Sequence, residues 1–278
     1  MGGRLGPDTP RRMDRMYSSS VSNVQASSTQ VPEVGPQASR AVDLKAALWD
    51  MDGTLVDTEP YWIASEFALV QAHGGEWSHE QAMALVGQSL VHSAGVLQQA
   101  GVRLTVRGII DHLTAEVIRQ VRHEIPWRPG ARKLLHDLVD AGVRCALVTM
   151  SEGPLAAEIV AGLPSGYFEF MVTGDAVKHG KPHPEPYLTA VRRLQAADPL
   201  LTIDECVALE DSIPGVASAQ ASGVVTVAIP HTVPLPEDSG RTTWPSLSGR
   251  TVADLRALVV DRANAPGARS APAAGTPQ

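Results

Sequence analysis

The chain has 278 residues, with 30 Asp+Glu against 23 Lys+Arg, a formal net charge of −7 and 44% hydrophobic residues. This acidic balance excludes a face built to neutralise nucleic-acid phosphates, and no apolar run approaches the roughly 18 residues of a membrane span. The two cysteines, Cys145 and Cys206, sit in apolar stretches, cannot form a disulfide framework and suit a reducing, cytoplasmic compartment.

Residues 1–43 read as a disordered N-terminal tail, rich in Ser, Gln, Pro and Gly and without apolar periodicity. Its arginines, Arg4, Arg11, Arg12 and Arg15, are not followed by the apolar segment of about 7–15 residues that a signal peptide needs. Lys45 to Asp50 is a short apolar run ending at an acid, which predicts a buried strand. Residues 58–126 carry helical periodicity (Trp62, Phe67, Leu69, Val70; Ala82, Leu85, Val86; Val117, Ile118, Val121) and no strand, and are expected to be a helical insert. A helix over 130–141 then starts after Pro129-Gly130 and stops at Gly142. Strands are predicted at 143–149, 170–173, 206–209 and 224–229, and helices at 154–161, 184–194, 213–221 and 252–260. Residues 263–278 read as a second tail, because 11 of the 16 are Ala, Pro or Gly. Strand–helix alternation with continuously apolar strands predicts an α/β, doubly wound parallel sheet of Rossmann-like type. Residues 44–57 and 127–262 would form this core, with 58–126 inserted into it.

In such a sheet, function collects at the carboxyl ends of the strands. Four positions there or in the adjoining loops carry polar residues: Asp50-Met51-Asp52-Gly53-Thr54, Thr149-Met150-Ser151, Gly180-Lys181-Pro182 and Glu210-Asp211-Ser212. Each alone is an ordinary turn or helix cap. Together, in this order, they suit phosphoryl transfer. A carboxylate attacking a dianionic phosphate needs cations to screen it. Asp50 and Asp211 can hold a hard Mg²⁺ through oxygen, and Lys181 adds positive charge. The Thr149 hydroxyl and the backbone N–H groups near Met150 and Ser151 can bind phosphate oxygens at a helix start. Asp52 can protonate the leaving oxygen and later activate water.

DMDGTLVDTE, LVTMS, GKPHPEPY and LEDSIPG resemble the four motifs of the haloacid dehalogenase-like (HAD) hydrolase superfamily, over about residues 44–262. The resemblance implies Asp50 as the nucleophile that forms an aspartyl-phosphate and Asp52 as general acid/base. It implies that Thr149 and Lys181 hold the phosphoryl group. Mg²⁺ would sit on the Asp50 carboxylate, the Asp52 carbonyl and Asp211, with Glu210 in support. The insert would be the family's small α-helical cap.

Within the superfamily, Asp52 separates this chain from the dehalogenases, which lack that second acid. Residues 58–126 contain no lysine, which sets aside the phosphonoacetaldehyde hydrolases and their Schiff-base lysine. β-Phosphoglucomutases carry a hinge histidine where Trp62 aligns, an arginine near Leu90 and a cap lysine, and none of these is present. The Asp57–Trp62 stretch is more similar to the sugar-phosphate phosphatases. The expected function is therefore a Mg²⁺-dependent phosphatase acting on a small phosphorylated metabolite, a sugar or polyol phosphate, with no nucleic-acid, membrane or protein partner. A phosphosugar mutase and a catalytically inactive binding protein are the alternatives. Trp62 and Tyr61 could pack on a sugar, and Gly87-Gln88-Ser89 could face the leaving group. The nine histidines form no metal-binding set, and Cys145 reads as a small core residue.

Overall fold

The computed structural model describes Gly2 and residues 42–265; the expected tails fall almost wholly outside these. β1 (Ala46–Trp49) is buried at every position. A fully buried run of this length requires cover on both faces of its sheet, and the chain supplies it. Five more strands follow: β2 (Arg144–Val148), β3 (Phe170–Val172), β4 (Cys206–Glu210), β5 (Val225–Ala228) and β6 (Thr242–Thr243). They form one parallel sheet in the order β3-β2-β1-β4-β5-β6. Alternating side chains divide it into two layers. Ala47, Trp49 and Leu147 pack against Leu134, Leu135 and Leu138 of α5 (Ala131–Asp140), Leu155 and Ile159 of α6 (Gly153–Ala161), and Leu255 and Val259 of α9 (Val252–Asn264). On the other face, Ala46, Leu48 and Ala208 meet Tyr187, Ala190 and Leu194 of α7 (Glu185–Ala197) and Ala219 of α8 (Ile213–Ser222). The doubly wound α/β expectation holds.

Between β1 and α5 lie four helices: α1 (Glu59–Ala72), α2 (His79–Leu85), α3 (Leu90–Gln99) and α4 (Val106–His123). Ser78, Ser89 and Thr105 each accept a backbone N–H from the first turn of α2, α3 and α4, which sets where those helices begin. Their apolar faces gather into a separate cluster around Leu69, Leu97, Ile109 and Leu113. The entering and leaving chains lie side by side: Asp57 N–H donates to Pro126 O at 2.7 Å and Arg128 N–H to Leu55 O at 3.0 Å. Trp62 packs on both this cluster and the sheet layer.

Sequence periodicity does not reveal β6, whose two threonines carry no apolar run, and α3 escapes it because its buried face is small and partly polar (Ser93, Ala94, Leu97). α9 also continues to Asn264, past the expected end of the core at 262. Among the described residues, no helix is long and apolar enough to cross a membrane.

Candidate active site

The chain runs outward from β1 to β3 and then returns to place β4 on the other side of β1. That reversal opens a crevice at the carboxyl ends of β1 and β4. Asp50 follows β1, Glu210 ends β4 and Asp211 follows it, so three carboxylates meet there, with ligand atoms within 4.8 Å of one another.

Lys181 is driven between them. Its ammonium donates to Asp50 Oδ1 at 2.6 Å, to Val148 O at 2.9 Å and to Glu210 Oε1, using all three of its hydrogens. Burial opposes the lysine charge, yet Asp50 and Glu210 hold its pKa above the ordinary lysine value. Glu210 is saturated. Its Oε1 also accepts from Tyr187 OH at 2.8 Å, and its Oε2 accepts from Asp211 N, Ser212 N and Ser212 Oγ at 3.1–3.3 Å. Asp50 is not: Oδ2 is buried with no hydrogen-bond partner. Burial, and then the Glu210 charge, push the Asp50 pKa up to about 7. Burial, Asp50 and Glu210 push that of Asp211 well above the usual carboxylate range.

Two glycines permit this crowding. Gly53 lies at φ +88°, and a Cβ there would stand 2.0 Å from Asp211 Oδ2. At Gly215, in the first turn of α8, a Cβ would stand 2.0 Å from each Glu210 carboxylate oxygen. Gly215→Ala is therefore expected to displace Glu210 and lower stability by about 1–3 kcal/mol, as urea denaturation would measure. An unchanged urea midpoint would refute this packing argument.

Asp52 occupies the neighbouring wall. Its Oδ2 accepts from Ser151 Oγ at 2.7 Å and from Thr149 Oγ1 at 3.4 Å, and its Oδ1 from Thr58 Oγ1. The Ser151 N–H is turned back on the Thr149 hydroxyl at 3.0 Å, and Met150 Sδ accepts the Lys181 backbone N–H at 3.1 Å. The groups expected to grip a phosphoryl oxygen thus bond to one another here.

Asp50, Asp52, Thr149, Met150, Ser151, Lys181 and Asp211 all border one cavity of about 640 Å³, whose other side is built by α1–α4. Glu210 stands behind it. Trp62 and Gly87-Gln88-Ser89 line the cavity; Tyr61 does not, and its hydroxyl donates to Glu124 O at 3.2 Å. Sequence reasoning missed Thr58, Tyr187 and two acids of α1, Glu59 and Glu66, both of which line the cavity. The structure also qualifies the reading of the histidines. It brings His179, His183 and Glu185 together on an exposed surface, where Glu185 accepts the backbone N–H groups of Lys178 and His179 at 2.8 and 3.1 Å. Cys145 and Cys206 are buried, unbridged core residues.

The sequence profile of the haloacid dehalogenase-like hydrolase family matches residues 47–229. The chain belongs to the haloacid dehalogenase-like hydrolases. Hexitol phosphatase A of Escherichia coli is 32% identical over 199 residues, covering 66% of this chain and 82% of the relative. A phosphorylated carbohydrates phosphatase of Thermotoga maritima is 28% identical over 186 residues, covering 65% of this chain and 82% of that protein. Among solved structures, CbbY of Rhodobacter sphaeroides in complex with phosphate superposes with a TM-score of 0.67 at 25% identity, covering 74% of this chain and 96% of CbbY. The chain is thus an enzyme of a hydrolase family, and the expectation of a phosphoric monoester hydrolase agrees with the names of these relatives.

Proposed function

We propose that this haloacid dehalogenase-like hydrolase is a Mg²⁺-dependent phosphatase of the cytoplasm. Its substrate is a small sugar or polyol phosphate, and it works through an aspartyl-phosphate on Asp50. The observation that carries the reading is Asp50 itself. One of its oxygens is fixed by Lys181 and the other is unbonded, at the wall of a cavity large enough for a small ester.

The site fits a divalent cation. Three buried carboxylates face one ammonium, and the raised pKa values of Asp50 and Asp211 express that excess of negative charge. Asp50 Oδ2 is unpartnered and Asp211 Oδ1 accepts from Thr54 Oγ1 at 3.1 Å, so Asp50 Oδ2 and Asp211 Oδ2 are the candidate ligands, with the Asp52 carbonyl as a third; Glu210, with its oxygens already bonded, acts in support. Bound there, Mg²⁺ would neutralise charge on the phosphoryl group. Saturating Mg²⁺ is expected to stabilise the protein by about 3 kcal/mol at a hundredfold excess over its Kd, and chelation to abolish phosphate release. A melting temperature indifferent to Mg²⁺ would overturn this assignment.

In the first step an Asp50 oxygen attacks phosphorus, the bond from phosphorus to the ester oxygen breaks, and Asp52 gives that oxygen its proton. In the second, Asp52 takes a proton from water, whose oxygen attacks the aspartyl-phosphate and releases phosphate and free Asp50. Thr58 and Ser151 hold the Asp52 carboxyl at the cavity wall for both transfers. Asp52→Asn removes this proton path and is expected to lower kcat by about 10²–10⁴-fold; a kcat within twofold of wild type would exclude the role. The α1–α4 segment, read as the cap, supplies the far wall and excludes water.

A phosphosugar mutase must accommodate a second phosphate. Among the described residues, Lys181 is the one cationic side chain lining the cavity, and it is already committed to Asp50 and Glu210. The deciding experiment is incubation of the Mg²⁺-loaded enzyme with a hexose 1-phosphate and catalytic bisphosphate. Free phosphate is the expected product, and stoichiometric 6-phosphate without phosphate release would replace the phosphatase reading.

A further inference from the structure

The cavity has two chemically distinct sides. The core side carries the acids, the lysine and the hydroxyls described above. The helical side is mainly apolar, with Trp62, Leu85 and Leu113, and is interrupted by neutral polar groups such as Gln88 and Ser93 and by the acids Glu59 and Glu66.

Glu66 is the anomaly. It lies in α1 at i+4 from Trp62, on the face that buries Leu69 and Val70, and only 5% of its surface is exposed. Its Oε2 is buried without a well-formed hydrogen bond: the indole N–H of Trp77, likewise buried and unpartnered, is a donor that interacts with the carboxyl but makes no bond of good geometry to it. A carboxyl placed this way weakens the fold, and unmet polar groups of this kind are characteristic of functional sites. Burial raises its pKa to about 7 although the Trp77 indole N–H favours the charged form, and burial together with the Asp52, Glu66 and Asp57 charges raises that of Glu59 to about 8. Near neutral pH the carboxyl of Glu66 is therefore protonated in part, and a protonated carboxyl both donates and accepts, as does an alcohol. Among the described residues, no cationic side chain lines this side to compensate a second anionic group on the substrate.

We propose that Glu66 is a specificity-determining residue that hydrogen-bonds a hydroxyl of the leaving group and selects neutral polyhydroxylated alcohols over leaving groups bearing a second anion. This inference rests on the phosphatase reading. It assigns the helical side of the cavity to an uncharged polyol chain whose hydroxyls meet Glu66, Ser93 and Gln88 while its carbons pack on Trp62 and Leu113.

The test uses the full chain with Mg²⁺, as wild type, Glu66→Gln and Glu66→Met. It measures kcat and KM for a hexitol phosphate, for phenyl phosphate, whose leaving group offers no further hydroxyl, and for ethanolamine phosphate. In Glu66→Met the ratio of kcat/KM for the hexitol ester to that for phenyl phosphate is expected to fall about 10- to 100-fold. Glu66→Gln, which keeps a donor and an acceptor, is expected to fall less. The melting temperature of Glu66→Met is expected to rise by about 2–4 °C as the buried carboxyl is removed. A ratio within twofold of wild type in both variants overturns the inference, as does a proportional loss on every ester. A wild-type preference for ethanolamine phosphate that Glu66→Met abolishes overturns it too, since the acids then recognise an ammonium. Wild type that hydrolyses phenyl phosphate but no polyol or sugar ester refutes this inference alone. Wild type inert toward every ester refutes the phosphatase reading beneath it.

Discussion

Asp50→Asn is expected to lower phosphate release by about 10⁴–10⁶-fold, the range seen when a nucleophile is removed from an otherwise intact site. The amide is isosteric with the carboxyl, and its oxygen can still accept the Lys181 hydrogen bond that Asp50 Oδ1 accepts at 2.6 Å. What it lacks is a second anionic oxygen to attack phosphorus. Removing one of three crowded carboxylates also removes a buried charge that burial, and then the Glu210 charge, disfavours, lifting the Asp50 pKa to about 7, so the fold has no reason to fail. Phosphate release and a thermal melt on the same preparation separate these effects. A variant that folds and turns over within tenfold of wild type would eliminate Asp50 as the nucleophile.

Lys181→Met is expected to be the most destabilising change at the site. The Asp50 side chain is 9% exposed and that of Glu210 fully buried, with the lysine ammonium between them. Removing one partner from a buried ionic group costs about 3–5 kcal/mol, because the remaining charges cannot return to water. Urea denaturation without metal would measure the loss, and Mg²⁺ is expected to recover part of it by replacing the missing positive charge. Lys181→Arg should not rescue the site. The ammonium points its hydrogens at three separate acceptors, Asp50, Glu210 and Val148 O, and a planar guanidinium cannot reproduce that geometry. A metal-free variant as stable as wild type would show that the cluster does not depend on this cation.

The parts of the site legible in the sequence are those that lie at strand ends. Asp50, Thr149 and Asp211 follow short apolar runs and Glu210 ends one, so once the alternation is read as a parallel sheet their convergence on one edge of it is implied. Lys181 was legible only through its motif, since a loop lysine has no periodicity. Thr58 could not be found in this way: its contact with Asp52 depends on how the chain turns after β1. Tyr187 stood inside a recognised motif, but its bond to Glu210 crosses from α7 to β4. Glu66 did leave a signal. Counting four residues on from Trp62 places an acid on an apolar helical stripe, and an acid on a buried stripe is out of place for stability alone. Averaging hydrophobicity over the helix hides it.

The paired backbone bonds where the chain enters and leaves α1–α4 bear on how such proteins diversify. Asp57 and Pro126 are adjacent in space although 69 residues apart in sequence. The sheet therefore sees the whole intervening segment as a loop already closed at its base. Lengthening such a loop adds entropy only logarithmically, with each doubling costing about 0.6 kcal/mol, and leaves the strand register untouched. The α1–α4 wall of the cavity can thus be rewritten residue by residue, or turn by turn, while the carboxylates on its other side stay where β1 and β4 put them. On the phosphatase reading proposed above, substrate choice and chemical step would lie on separate stretches of one chain.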